Sequence, residues 1–151
     1  MSVGIGYDSH RLVEGERLVI GGVEIEHDRG LAGHSDADVL VHAVMDALLG
    51  AAGAGDIGSH FPDDSEEWRD ADSIDLLRVV VGLVPGAILN VDATVICEEP
   101  ALAPHRAEME RILGDVLSAR VSVKATSNEG MGAIGRGEGI AAIAVALINV
   151  E

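Results

Sequence analysis

Asp8, His10 and His42 are the residues of this chain whose types and spacing best suit metal chemistry. Asp8 and His10 stand two apart in Ser2–His10, an alternating segment that reads as a strand, so both side chains point to one side. His42 lies in an apolar segment beginning at Val39 that reads as a buried helix. On it Asp38, His42 and Asp46 recur at spacing four and share a face. Burying charge is costly unless it is paired or bound to a metal. Two neutral imidazoles and an ionised carboxylate could close around zinc and leave a fourth position for a substrate oxygen. The alternative is a core histidine paired with Asp38 or Asp46; either carboxylate could instead orient a metal-bound His42 from behind.

Three further groups are candidates for binding. His34–Ser35 precedes the helix, where free backbone N–H groups favour an anion, although Ser35 followed by Asp38 also fits a simple capping box. Asp56–Ile57–Gly58 and Phe61–Pro62–Asp63 could hold hydroxyl groups through their carboxylates, or merely form turns. Lys124–Gly130 and Gly135–Gly139 are rich in glycine and hydroxyl residues. Such backbone can cradle phosphate, Arg136 can neutralise it, and Glu129 can hold a hard cation such as magnesium. A purely structural loop is the other reading, since neither a Walker A nor a Rossmann pattern is present. Cys97 ends an apolar segment and reads as packed and inert.

The elements that must position these groups follow from the pattern. After the first strand, Arg17–Ile20 and Val23–Glu26 flank Gly21–Gly22 as a hairpin, and His27–Gly33 reads as loop. The long helix runs from Val39 to about Ala52, where Gly53 and Gly55 stop it. Asp56–Asp72 is a long acidic loop that Trp68 should pin. A helix over Ile74–Leu83, capped by Asp72 or Ser73, leads to a strand over Ala87–Cys97. An amphipathic helix over His105–Leu117 follows, then strands over Arg120–Thr126 and Glu138–Asn149. This order predicts an α+β fold, a two-layer sandwich with a mixed sheet and its helices on one face, in one domain over residues 1–151.

The formal net charge of −16 argues against nucleic acid or an anionic membrane as a partner. No apolar run is long enough to span a bilayer, and no signal peptide is visible, so a cytoplasmic protein is expected. The single cysteine excludes an internal disulfide framework and suits a reducing compartment. Lys124 is the only lysine. An acidic, arginine-based surface fits either a salt-rich cytoplasm or a genome that favours arginine codons.

Taken together, Gly6–His10, Gly33–Asp36 through Asp46–Gly50, Gly55–Gly58 with Phe61–Asp63, and Gly135–Ala141 closely resemble the 2-C-methyl-D-erythritol 2,4-cyclodiphosphate synthase family. The likeness runs from Gly4 to Leu147. It implies a cyclising, CMP-releasing phosphorus–oxygen lyase of the non-mevalonate isoprenoid pathway. In that reaction the 2-phosphate of CDP-methylerythritol 2-phosphate attacks the β-phosphorus of the diphosphate. The phosphate nucleophile is already ionised, so catalysis rests on positioning and charge neutralisation.

By the same resemblance Asp8, His10 and His42 would bind zinc, and Glu129 would help hold magnesium or manganese. His34 and Ser127 would stabilise the transition state, and Ser35 would contact phosphate. Asp56, Gly58, Phe61 and Asp63 would surround the methylerythritol part, and Ile57, Pro62, Asp64 and Ser65 would also bind substrate. Cys97, Pro100, Ala101, Leu102 and Ala103, with Ala125, Thr126 and Ser127, would form the cytidine pocket, and Asn128 would also bind substrate. A homotrimer with sites between neighbouring subunits is implied, so Asp8 and Ser127 need not serve one site within a chain. Ser127 stands where threonine is usual and keeps the hydroxyl; Ala101 stands where many members have lysine. Ala133 replaces a frequent phenylalanine near the trimer axis, which reduces the apolar wall of a cavity there, while Arg136 is kept as an anion contact.

Overall fold

The computed structural model describes residues 1–150; Glu151, the last residue of the expected single domain, lies outside them. Strand β1 (Ser2–Glu14) is followed by the hairpin strands β2 (Leu18–Ile20) and β3 (Val23–Ile25), turned at Gly21–Gly22 as expected. Strand β4 (Arg29–Leu31) then lies in the segment expected to be loop. It pairs with the end of β1, which is itself four residues longer than its apolar alternation suggested. Helix α1 (Val39–Ala52) ends at Gly53 in a left-handed cap. The acidic segment holds a short helix α2 (Ile57–His60) and one 3-10 turn at Glu66–Trp68. Helix α3 (Ser73–Leu83), strand β5 (Ala87–Ile96), helix α4 (Arg106–Leu117) and strand β6 (Arg120–Thr126) follow. A short helix α5 (Gly132–Gly135) interrupts the Gly-rich loop before strand β7 (Gly139–Asn149).

The main sheet has the order β4-β1-β7-β5-β6; β5 and β6 run parallel and all other pairs antiparallel, so it is mixed as expected. Residues in register across a sheet share a face. The inward rows are Gly4–Ala146–Val91–Val121 and Gly6–Ala144–Ala93–Val123, all buried beneath the helices. Side chains are smallest under α1 because the helix lies against the β1 backbone itself. A Cβ on Gly4 would fall 2.0 Å from the Ala47 carbonyl oxygen, and one on Gly6 would fall 1.9 Å from that of Ala43. Ala43, Ala47 and Ala51, spaced by four, form the matching helix face. Beyond Gly6 the same inward positions of β1 carry Asp8 and His10. The close approach that the glycines permit therefore brings His42 to them.

Asp38 caps α1, accepting the Val41 amide at 3.1 Å, and the same carboxylate takes the Gly21 and Gly22 amides of the hairpin turn at 2.8 Å each. The capping-box expectation for Ser35 is thus corrected: Ser35 lies too far ahead of the helix, and Asp38 does the work. Burial, and next the charge of Asp36, push the Asp38 carboxyl up to about 6 against the amides that favour its ionised form. Because the folded value is the higher one, this group's contribution to stability is full below about pH 4 and is lost as pH rises through about 6. Asp38→Asn cannot titrate and gives up an amide contact worth about 1–3 kcal/mol. Denaturant titrations should show a wider gap between wild type and variant at pH 5 than at pH 7.5.

Candidate active site

His10 and His42 meet Asp8 at the N-terminal end of α1. Asp8 Oδ2 lies 2.8 Å from His10 Nε2 and 3.2 Å from His42 Nδ1, and the two imidazole nitrogens are 3.3 Å apart. His10 Nδ1 is 3.0 Å from the Ala32 carbonyl oxygen, which can only accept, so that nitrogen carries the proton of the neutral ring. Nε2 then presents a lone pair to Asp8. Asp8 Oδ2 is buried and receives no well-aligned hydrogen bond. Three atoms able to ligate a metal, Asp8 Oδ2, His10 Nε2 and His42 Nδ1, thus lie within 4.8 Å of one another, an arrangement that a cation satisfies. Burial disfavours both charges, but the partners outweigh it: Asp8 holds His10 above its ordinary value, and His10 and His42 hold Asp8 below the usual carboxylate range.

The carboxylates suspected of orienting His42 do not touch its ring. Asp38 serves the cap and the hairpin, and Asp46 accepts the Ile57 amide at 2.8 Å, tying α2 to α1. His42 Nε2 instead faces the hydroxyls of Ser73 at 3.0 Å and Ser35 at 3.1 Å. Ser73 was expected only as a possible cap of α3. Nothing in local spacing signals its contact with His42, because the two residues belong to different helices.

The triad opens into a cavity of about 340 Å³ that is also lined by Gly33, His34, Ser35, Met45, Ile57, Gly58, Phe61, Asp63, Trp68 and Leu76. His34 Nε2 donates to the Ser65 carbonyl at 2.9 Å, and the His34 carbonyl accepts the Asp70 amide at 2.9 Å. The acidic loop is thereby stitched over the cavity. Trp68 meets Phe61 edge-on with ring centroids 4.9 Å apart, which is the pinning expected of it. Asp56 does not line the cavity; it caps α2, and hydrogen bonds from Ser59 hold its exposed carboxyl below the ordinary range. Pro62, Asp64 and Ser65 belong to the same loop but are not among the lining residues, although Ser65 contributes its carbonyl. No lysine or arginine lines this cavity among the described residues.

A second cluster forms where β5 and β6 end side by side. Ile96 pairs with Thr126, and the Cys97 amide donates to the Thr126 carbonyl at 3.0 Å. This joins the connection through Pro100, Ala101, Leu102 and Ala103 to the segment from Ala125 to Glu129. The Glu98 carboxylate accepts the Gly130 amide at 2.8 Å, and Ser127 Oγ accepts the Glu129 amide at 3.2 Å. Glu129 is exposed, with φ at 54°. Cys97 is buried, and burial, then the charge of Glu98, push its thiol up to about 11, in keeping with an inert cysteine. Asp8 is in register with Ala142, Val95 and Ala125, so β7 and β5 separate the two clusters by three strand spacings, about 14 Å. Ala133 and Arg136 form a third group around α5, where Arg136 pairs with Glu138 at 2.6 Å.

The chain matches the YgbB family over residues 1–149. It is 56% identical to a 2-C-methyl-D-erythritol 2,4-cyclodiphosphate synthase from Syntrophomonas wolfei and 58% identical to one from Salinibacter ruber; each alignment spans 99% of both proteins. It superposes with a TM-score of 0.89 on a solved 2C-methyl-D-erythritol-2,4-cyclodiphosphate synthase in a CDP-bound form. That structure is 35% identical, with 97% of this chain and 99% of the other covered.

Proposed function

The chain belongs to the YgbB family, and from that premise we propose how its residues carry the family's reaction. It is a phosphorus–oxygen lyase that converts 4-CDP-2-C-methyl-D-erythritol 2-phosphate to 2-C-methyl-D-erythritol 2,4-cyclodiphosphate and CMP, a step in isoprenoid precursor synthesis. An oxygen of the 2-phosphate bonds to the β-phosphorus, and the bond from that phosphorus to its bridging oxygen breaks. CMP departs with the bridging oxygen and its electron pair. No side chain need remove a proton from the nucleophile, so the protein's task is to hold the two phosphorus groups together and offset their charge.

The observation that carries the site assignment is the convergence of Asp8 Oδ2, His10 Nε2 and His42 Nδ1 in a cavity without lysine or arginine. A substrate rich in phosphate charge cannot enter beside Asp8 and Asp63 without cations to balance it. Asp8, His10 and His42 would hold zinc, which supplies Lewis-acid polarisation of a phosphoryl oxygen when bound. Glu129 would contribute a carboxylate to magnesium or manganese, which supplies charge neutralisation between phosphates. His34 and Ser35 stand beside the triad; Ser35 donates its hydroxyl to a phosphate oxygen, and His34 is the residue that would stabilise the transition state. Ile57, Gly58, Phe61 and Asp63 enclose the methylerythritol part, with Asp56, Pro62, Asp64 and Ser65 shaping the rim.

The cytidine binds at the ends of β5 and β6, where Ser127 also reaches the reacting phosphates. In one chain that cluster stands about 14 Å from the triad strand, so the complete site is built from two subunits. The outer face of the sheet supports a homotrimer. Its rows Val3–Leu147–Asn90–Arg120, Ile5–Val145–Asp92–Ser122 and Tyr7–Ile143–Thr94–Lys124 are apolar over β1 and β7 and polar over β5 and β6. Val3, Ile5 and Tyr7 are each more than half exposed in the single chain, a surface that another subunit would cover. The work is assigned to the cytoplasm, as the lone cysteine suggests; no helix of the described residues is long and apolar enough to cross a membrane.

Phosphorus NMR of the purified protein with substrate, zinc and magnesium tests the reaction. Cyclic diphosphate is expected in step with CMP. A linear diphosphate with CMP would mean that water, not the 2-phosphate, is the nucleophile on this scaffold.

A further inference from the structure

We infer that Ser73 and Asp36 are positioning residues that fix the tautomer of His42, so that its Nδ1 lone pair faces Asp8 and His10. The inference rests on the proposed metal reading of that triad and extends it to a hydrogen-bond chain behind His42. Ser73 is the first residue of α3 and is fully buried. Its hydroxyl donates to Asp36 Oδ1, and its amide donates to Asp36 Oδ2 at 3.0 Å. The same Asp36 carboxylate accepts the Asp38 amide at 3.1 Å, and the Asp36 amide is held by the Ala71 carbonyl at 3.2 Å. The carboxylate is therefore clamped between the start of α1 and the start of α3.

The number of available protons decides the rest. An ionised carboxylate offers only lone pairs, and Ser73 has one hydroxyl proton, which it spends on Asp36. The Ser73 oxygen therefore turns lone pairs toward His42 Nε2, 3.0 Å away. A second lone pair at Nε2 would repel them, so Nε2 carries the ring proton. Ser35 Oγ, 3.1 Å from the same nitrogen, is a second acceptor for it. The neutral ring then has its free lone pair at Nδ1, the atom that faces Asp8 Oδ2 at 3.2 Å. Outer partners of this kind set the tautomer and orientation of metal-binding histidines. Asp36→Asn reverses the order: its amide N–H₂ can donate to the Ser73 oxygen, freeing the Ser73 proton for Nε2 and placing a proton on Nδ1.

Nitrogen-15 NMR of histidine-labelled, metal-free protein at alkaline pH reads the tautomer directly. Zinc affinity is measured alongside by competition with a chromophoric chelator. His42 of the wild type is expected protonated at Nε2. Ser73→Ala and Asp36→Asn, with circular dichroism matching the wild type, are expected to bind zinc roughly 10–100-fold more weakly. Ser73→Thr, which keeps the hydroxyl, should recover most of the affinity. A wild-type His42 protonated at Nδ1, or undiminished zinc affinity in Ser73→Ala, overturns the inference. The tautomer measurement needs no substitution and decides the matter even if the variants do not fold. A wild-type protein that binds no zinc but holds His42 in the Nε2–H form would instead overturn the metal reading of the triad.

Discussion

Replacing His42 with alanine is expected to abolish both stoichiometric zinc and measurable turnover while leaving the protein folded. The variant removes one of the three converging ligand atoms and leaves Asp8 and His10 as a pair. Losing an outer partner of a metal site costs roughly 10–100-fold in affinity, and losing a ligand outright should cost more. The fold should survive because the rest of α1 buries its apolar side chains independently of the imidazole. The Ser35 and Ser73 hydroxyls that lose a partner can still hydrogen-bond to Ala37 and Asp36. Metal analysis of the purified variant, phosphorus NMR and sedimentation would check the three parts. Normal zinc content would remove His42 from the metal set, and an intact reaction would remove the set from the mechanism.

The second large effect lies away from the polar groups. Gly6→Ala should destabilise the protein at or beyond the upper end of the roughly 1–3 kcal/mol that overpacking usually costs. The new Cβ would fall 1.9 Å from the Ala43 carbonyl oxygen, a backbone atom that cannot turn aside. The only relief is for α1 to lift from β1. Since β1 carries Asp8 and His10 while α1 carries His42, the same movement pulls the triad apart. Thermal denaturation and zinc competition should therefore fail together. Gly50→Ala is the control within α1. Outside its own helix, the nearest heavy atoms to its Cβ are the Gly4 Cα and the Ile5 carbonyl oxygen, both at 3.8 Å, so it should be neutral or add up to about 1 kcal/mol through helix propensity. Equal effects at the two glycines would mean that close helix–strand approach is not what holds the ligands together.

Helix α1, its stop at Gly53, the hairpin at Gly21–Gly22, the other two main helices and the long strands were all legible in the sequence, because apolar periodicity and Gly or Asp punctuation are local signals. Asp8 and His10 were legible as neighbours for the same reason: a strand fixes which way residues two apart point. Strand β4 was not, since Arg29–Gly30–Leu31 has no alternation of its own and is a strand only because the end of β1 offers it a partner. The capping reading of Ser35 fails because spacing alone cannot tell a serine that closes a helix from one that turns toward His42.

What only the tertiary structure decided is which residues meet. His42 reaches Asp8 because Gly4 and Gly6 let α1 descend onto β1. Asp38, on the same helical stripe, was already committed to the hairpin amides, so the oxygen atoms behind His42 come from Ser73 and Ser35. Sequence determines the chemistry a residue can offer. Which polar group is left for which task depends on who else competes for it across the chain, and that competition is settled only when distant segments are packed together.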